Sequence, residues 1–207
     1  MGARVLDPLP TCRIGHLTAV AGPKGVGKST LIRRLLDGED LGPDVSVPSD
    51  AHVWTGRKFR RKAESGVFDH VVMHYDILRP FGRGENGYRG DPATSVFACA
   101  DRITFLTLRT THERLCAQLA RRLQATQDQS KRDGLRRMRA RYDDEQFLAE
   151  WYDRWLRYVA RRSNANDSSY FVDVHESYAL TRVVPRRRRP SFGFRLQPLH
   201  RAAGFGL

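Results

Sequence analysis

The chain has 207 residues, with 36 Lys and Arg against 23 Asp and Glu, a formal net charge of +13 and 40% hydrophobic residues. That length suits one domain burying roughly 70% of its extended surface, and no run of about 18 apolar residues predicts a membrane span. Cys12, Cys99 and Cys116 are unclustered and lack CxxC spacing, which excludes a disulfide framework or a zinc site and leaves them as packing residues.

From the N-terminus, Met1 to Pro10 lacks the basic-then-apolar order of a secretory leader, so a cytoplasmic location is expected. Ile14, Leu17, Ala19, Val20 and Ala21 then predict a short buried strand. Gly22, Pro23, Lys24, Gly25, Val26, Gly27, Lys28, Ser29 and Thr30 follow as a full match to GxxxxGK[ST]. The glycines permit tight turns that aim successive amides inward at an anion. Lys28 supplies a charge for the β- and γ-phosphates and Ser29 a hydroxyl for Mg²⁺. Leu31, Leu35 and Leu36 give the next segment helical spacing, so strand, loop and helix come in the order such a loop requires. The expected ligands are ATP or GTP together with Mg²⁺.

Asp37 to Pro48 is rich in Gly, Pro and Asp and reads as loop. His52 to Ser65, with Trp54, Arg57, Lys58, Phe59, Arg60, Arg61 and Lys62, reads as a basic helix or flap, and His52 to Lys62 as a flap for the phosphate acceptor. Val67 to Asp76 is a strand closed by a carboxylate. Asp76 is therefore the candidate for the acid that holds Mg²⁺, with Asp50 and Asp101 as substitutes. Pro80 to Pro92 is loop. A further strand, Ile103 to Leu108, leads into Thr110-Thr111-His112-Glu113, a capping-box pattern, and a helix with Leu115, Leu119 and Leu123.

Residues 124–142 turn polar and basic and read as a closing lid. Arg121 and Arg122, with Arg132, Arg136 and Arg137, are candidates for charge neutralisation around a transferring phosphoryl group. A helix from about Asp144 places Phe147, Leu148, Trp151, Trp155 and Val159 on one face, a stripe that reads as core. Tyr170 to Val174 is the last strand, and Tyr178 to Leu180 begins a short helix or turn. The histidines are scattered without metal-ligand spacing and read as structural, although His74 and Asp76 share a strand and can face one site. Seven arginines and no acid lie between Ser177 and Leu207, so this Arg-rich end is a candidate surface for nucleic acid or another acidic partner.

Strands alternating with helices predict an α/β fold of three layers, a mostly parallel sheet with helices on both faces. Residues 1–184 form one domain with a lid at 124–142, followed by a basic tail at 185–207. The stretch from Gly22 to Leu36 resembles the phosphate loop and first helix of guanylate kinase and its nucleotide-kinase relatives. The order from that loop through the Asp76 strand to Thr111-His112-Glu113-Arg114-Leu115 and an arginine-bearing lid is similar as well. The resemblance implies a P-loop NTPase fold, phosphate and Mg²⁺ at Lys28 and Ser29, and a lid arginine near the phosphates. The guanylate-kinase acceptor signature is not recognisable between Val45 and Glu85, so the likeness supports a kinase class without GMP as acceptor. The expected activity is transfer of a phosphoryl group from ATP to a small anionic molecule, such as a nucleotide or phosphorylated metabolite. The alternative is a regulatory or assembly NTPase whose basic tail binds nucleic acid or a partner.

Overall fold

The computed structural model describes residues 11–42, 45–55, 65–78, 88, 91–174 and 178–182. The predicted tail at 185–207 and residues 56–62 of the predicted flap lie outside these residues, as does most of the predicted loop at Pro80 to Pro92.

In chain order the elements are β1 (Thr11–Gly22), α1 (Lys28–Leu36), β2 (His52–Thr55) and β3 (Ser65–Asp76). A single turn, α2 (Pro92–Ser95), precedes a 3₁₀ turn (Val96–Cys99) and β4 (Ala100–Arg109). Three helices follow, α3 (His112–Ala125), α4 (Gln129–Tyr142) and α5 (Glu145–Arg162), then β5 (Ser168–Val174) and β6 (Tyr178–Arg182). The strands form one sheet in the order β2-β3-β1-β4-β5-β6, parallel except for β6, which runs antiparallel to β5. The protein is thus α/β with a six-stranded, mostly parallel sheet.

The apolar approach read before Gly22 becomes β1, an inner strand with β3 on one side and β4 on the other. Ile14, Leu17, Ala19, Val20 and Ala21 are fully buried, as a strand covered on both faces demands. Helix α3 starts on Thr111, whose side chain accepts from the Arg114 amide, and α5 starts on Asp144, which accepts from the Gln146 and Phe147 amides. Both are capping arrangements that satisfy otherwise free first-turn donors.

The aromatic stripe of α5 is core, as its spacing predicts: Leu148, Trp155 and Val159 are buried and Phe147 and Trp151 half-buried. Trp155 stacks on Tyr75 at 5.1 Å and donates its indole N–H to Thr107 Oγ1 at 2.9 Å. At the β5-β6 end, Tyr178 and Val174 approach Gly27 at the head of α1, and the Arg34 guanidinium lies 4.7 Å from the Tyr178 ring. This arrangement is compatible with three layers.

Two expected elements are corrected. His52 to Thr55 is an extended edge strand paired with Val71 to His74, because Trp54 gains complete burial by joining the sheet; it is neither basic helix nor flap. Tyr178 to Arg182 is a strand and not a helix or turn, since its backbone pairs with Tyr170 to Val174. The cysteines are not all apart either. Cys12 at the start of β1 and Cys99 before β4 lie close enough for their thiols to hydrogen bond, and burial pushes the Cys12 thiol up to about 11.

On the α1 side of the sheet, well below the loop, β1, β3 and β4 enclose a polar group. The Arg102 guanidinium donates to His16 Nδ1 at 2.9 Å, which leaves His16 Nε2–H to donate to Thr104 Oγ1 at 2.9 Å. His70 Nε2 and Thr18 Oγ1 lie 2.9 Å apart, and the two imidazoles are 4.4 Å apart. The structural reading of these two histidines holds.

Candidate functional site

The loop from Gly22 to Thr30 joins the carboxyl end of β1 to α1, with Gly25 and Gly27 at φ +95° and +104°. Only glycine takes such angles readily, so the two residues set the path of the turn. Gly27 caps α1 from the left-handed region and its carbonyl receives the amides of Thr30 and Leu31, both at 3.0 Å. The amides of Gly25, Gly27, Lys28 and Ser29 have no acceptor among the described residues, while Ser29 and Thr30 are exposed. These four donors sit at a helix N-terminus, where the helix dipole adds positive potential.

Lys28 points back into the loop. Its ammonium donates to Gly22 O at 2.8 Å and Pro23 O at 2.7 Å, and the residue is only 4% exposed. Burial pushes its pKa down to about 8, opposed by the nearby Asp76 carboxylate and reinforced by Arg122 and Lys24. At neutral pH the ammonium remains charged.

Asp76 ends β3 directly across from Gly22 in the parallel register. One carboxylate oxygen accepts from the Leu78 amide at 3.1 Å, which fixes the chain as it leaves the strand. His74 lies two positions earlier on the same side of β3, facing Val20 in the register. Burial first, then the Lys28 charge, pushes His74 down to about 4, so its imidazole is neutral at pH 7.

The helical hairpin α3-α4 closes on this loop. A side chain at Gly25 would meet Leu119 Cδ2 at 3.2 Å and Leu115 Cδ1 at 3.5 Å, so α3 packs directly on the turn. From the end of α4, Tyr142 donates its hydroxyl to Lys24 O at 3.0 Å. Burial and then Asp76 raise the Tyr142 phenol, which keeps it protonated. His112 Nε2 is hydrogen-bonded to Tyr142 O and pins α4 to α3.

Of the two arginines singled out on α3, Arg122 lies within electrostatic reach of both Lys28 and His74. Both are exposed, but nothing among the described residues ties Arg121 to Lys28 or Asp76. The substitutes for Asp76 lie elsewhere: Asp101 is bound to Arg13 at 3.2 Å at the start of β4, and Asp50 is exposed in the turn before β2. Tyr142 and Tyr178 carry no sequence signal for a place beside the loop; only the packing of α4 and β6 reveals them.

The residues suit a polyphosphate chelated to a hard cation. Four acceptorless amides and a buried ammonium match an anion, while a free hydroxyl and a carboxylate across the strand pair offer oxygen donors of the kind Mg²⁺ takes while keeping several waters. Among the described residues there is no group of three or more His, Cys, Asp or Glu that could hold a metal ion. Comparison of the chain with family models and with curated proteins gives no match in either. No helix of the described residues is long and apolar enough to cross a membrane.

Proposed function

We propose that the chain is a P-loop NTPase fold that binds ATP or GTP with Mg²⁺ and acts as a phosphotransferase on a small anionic acceptor. The observation that carries this reading is Lys28, a charge buried inside a loop of acceptorless amides with Asp76 beside it. An ammonium kept in such surroundings at the cost of desolvation implies an anionic ligand that rewards it.

Bound nucleotide and Mg²⁺ would supply the transferable phosphoryl group and neutralise its charge. The loop amides and Lys28 bind the phosphates, and Ser29 and Asp76 are the residues that would hold the metal. Arg122, near the end of α3, adds positive charge within reach of Lys28 and His74. His74, neutral and half-buried, offers a ring nitrogen to a hydroxyl of the acceptor. Hydrogen-bonding to Lys24 O, Tyr142 holds the lid helix where it shields these groups from water.

Purified protein incubated with labelled ATP, Mg²⁺ and a panel of nucleotides and phosphorylated metabolites is expected to label one class of acceptor, and Lys28→Met to abolish labelling. Hydrolysis of ATP with no acceptor labelled refutes the kinase reading and favours a regulatory or assembly NTPase.

A further inference from the structure

Two thiols meet at the amino ends of β1 and β4, the opposite end of the sheet from the loop at Gly22. The two strands run parallel with Ile14 opposite Ala100. Cys12 stands two residues before Ile14, and Cys99 ends the 3₁₀ turn immediately before Ala100. Neighbouring strands lie about 4.8 Å apart, within the Cα separations of about 4.4–6.8 Å that a disulfide spans. The two sulfurs are within hydrogen-bond reach of each other. On its other flank Cys12 is paired with Gly66, a residue with no side chain to hold the sulfur there.

The pair is unequal. Cys12 is 8% exposed, whereas Cys99 is half-buried and reaches solvent. Cys12 donates its S–H to Cys99, which draws the Cys99 thiol down against the upward push of burial and raises the Cys12 thiol further. Cys99 in turn donates weakly to Ser95 O, 3.9 Å away. Thiolate character and access decide which sulfur an oxidant reaches first, and both select Cys99. The third thiol, Cys116, belongs to α3, with its sulfur 3.5 Å from His112 Nε2.

We propose that Cys12 and Cys99 are a redox modification site, a dithiol that a hydroperoxide closes reversibly into a disulfide clamp between β1 and the turn leading into β4. The Cys99 sulfur attacks one peroxide oxygen, the O–O bond breaks, Cys99 becomes a sulfenic acid, and water or an alcohol leaves. The Cys12 sulfur then displaces the sulfenic hydroxyl, so that the S–S bond forms and the hydroxyl departs as water. The dithiol gives up two electrons and two protons, and the peroxide takes up both. A thiol reductant reverses the closure. The clamp completes a ring on the order of 90 residues that contains α1, β2 and β3, and it acts chiefly by restricting the unfolded chain. Because it sits at the strand ends away from Lys28 and Asp76, it stands independently of phosphoryl transfer.

The test treats the full wild-type chain with hydrogen peroxide and maps its tryptic peptides without reduction, a readout that needs no variant to fold. One cross-linked pair joining Cys12 to Cys99 is expected, with the mass lowered by two hydrogens and restored by dithiothreitol. The oxidised protein should melt roughly 4–16 °C above the reduced one. Cys12→Ser should stop at a Cys99 sulfenic acid that dimedone traps, Cys99→Ser should leave Cys12 unlabelled, and Cys116→Ser should close as wild type does. Linkage through Cys116, linkage between chains, or dimedone labelling of wild-type Cys99 without a cross-link would overturn the proposal. So would a cross-linked protein that melts no higher than the reduced form.

Discussion

Replacing Lys28 with methionine should make the ligand-free protein more stable while removing polyphosphate binding. The Lys28 ammonium is nearly fully buried and its pKa falls from 10.5 to about 8. At pH 7 that shift corresponds to about 3 kcal/mol by which folding disfavours the charged form. Methionine removes this term but also two hydrogen bonds, to Gly22 O and Pro23 O. Neither carbonyl is left bare, because Ile77 N still donates to Gly22 O at 3.3 Å and Val26 N to Pro23 O at 3.4 Å. Losing the charged donors costs about 1–2 kcal/mol in total, so the net gain is about 1–2 kcal/mol, or roughly 2–8 °C in Tm for a chain of this size. The sign with pH is fixed. Between about 8 and 10.5 the unfolded chain binds more protons than the folded one, so wild-type stability climbs with pH through that window. The advantage of Lys28→Met should therefore shrink between pH 8 and 10.5. Urea unfolding of both proteins at pH 7 and pH 10 measures this, with ATP and Mg²⁺ added in parallel at pH 7 to show that only wild type gains stability. A variant less stable than wild type at pH 7, or a gap that ignores pH, refutes the argument.

Acid should act through the buried histidines. Burial pushes His16 down to about 4 and lowers His70, so the unfolded state binds more protons between pH 6.5 and 4 and stability is lost as the pH drops through that window, by up to about 3 kcal/mol for His16. Unfolding midpoints from pH 7.5 to 4.5 should show a shallower decline in His16→Gln than in wild type; parallel profiles count against the assignment. Gly22→Ala should be severe, since its Cβ would lie 2.9 Å from Val26 Cγ1 and 3.0 Å from Leu108 O at φ +156°. Thermal unfolding should reveal a loss of roughly 2–4 kcal/mol, and an unchanged melting temperature contradicts the packing described for the loop.

The turn from Gly22 to Thr30 is legible in the sequence because its conformation is coded locally: two glycines at positive φ and a lysine at the head of a helix need no distant partner to be recognised. Asp76 is legible for a related reason, as a charge that ends an apolar run marks where a strand leaves the core. β2 is not legible. Trp54 stands among basic residues with no alternation, and pairing with Val71 to His74 alone makes the segment a strand. β6 likewise exists through its return alongside β5, which no local propensity of Tyr178 to Arg182 announces. Histidines show the same boundary: the sequence reads them as structural and notes only that His74 can share a site with Asp76, whereas the fold separates His16 and His70, hydrogen-bonded within the sheet, from His74, set beside Lys28. Arg121 and Arg122 are adjacent in sequence and equivalent by composition, and only the direction each leaves α3 decides which one approaches the loop.

Helix α4 has an inner side tied to Lys24 O through the uncharged Tyr142 hydroxyl and an outer side crowded with arginine. Tyr142 is tied to the loop at Lys24 O and Leu135 and Met138 pack in or against the core, so substitution there costs packing. Arg137 and Arg141 are exposed and meet no acid among the described residues, so substitution there leaves the core intact. The same fourteen residues therefore combine a fixed anchor with a surface open to change.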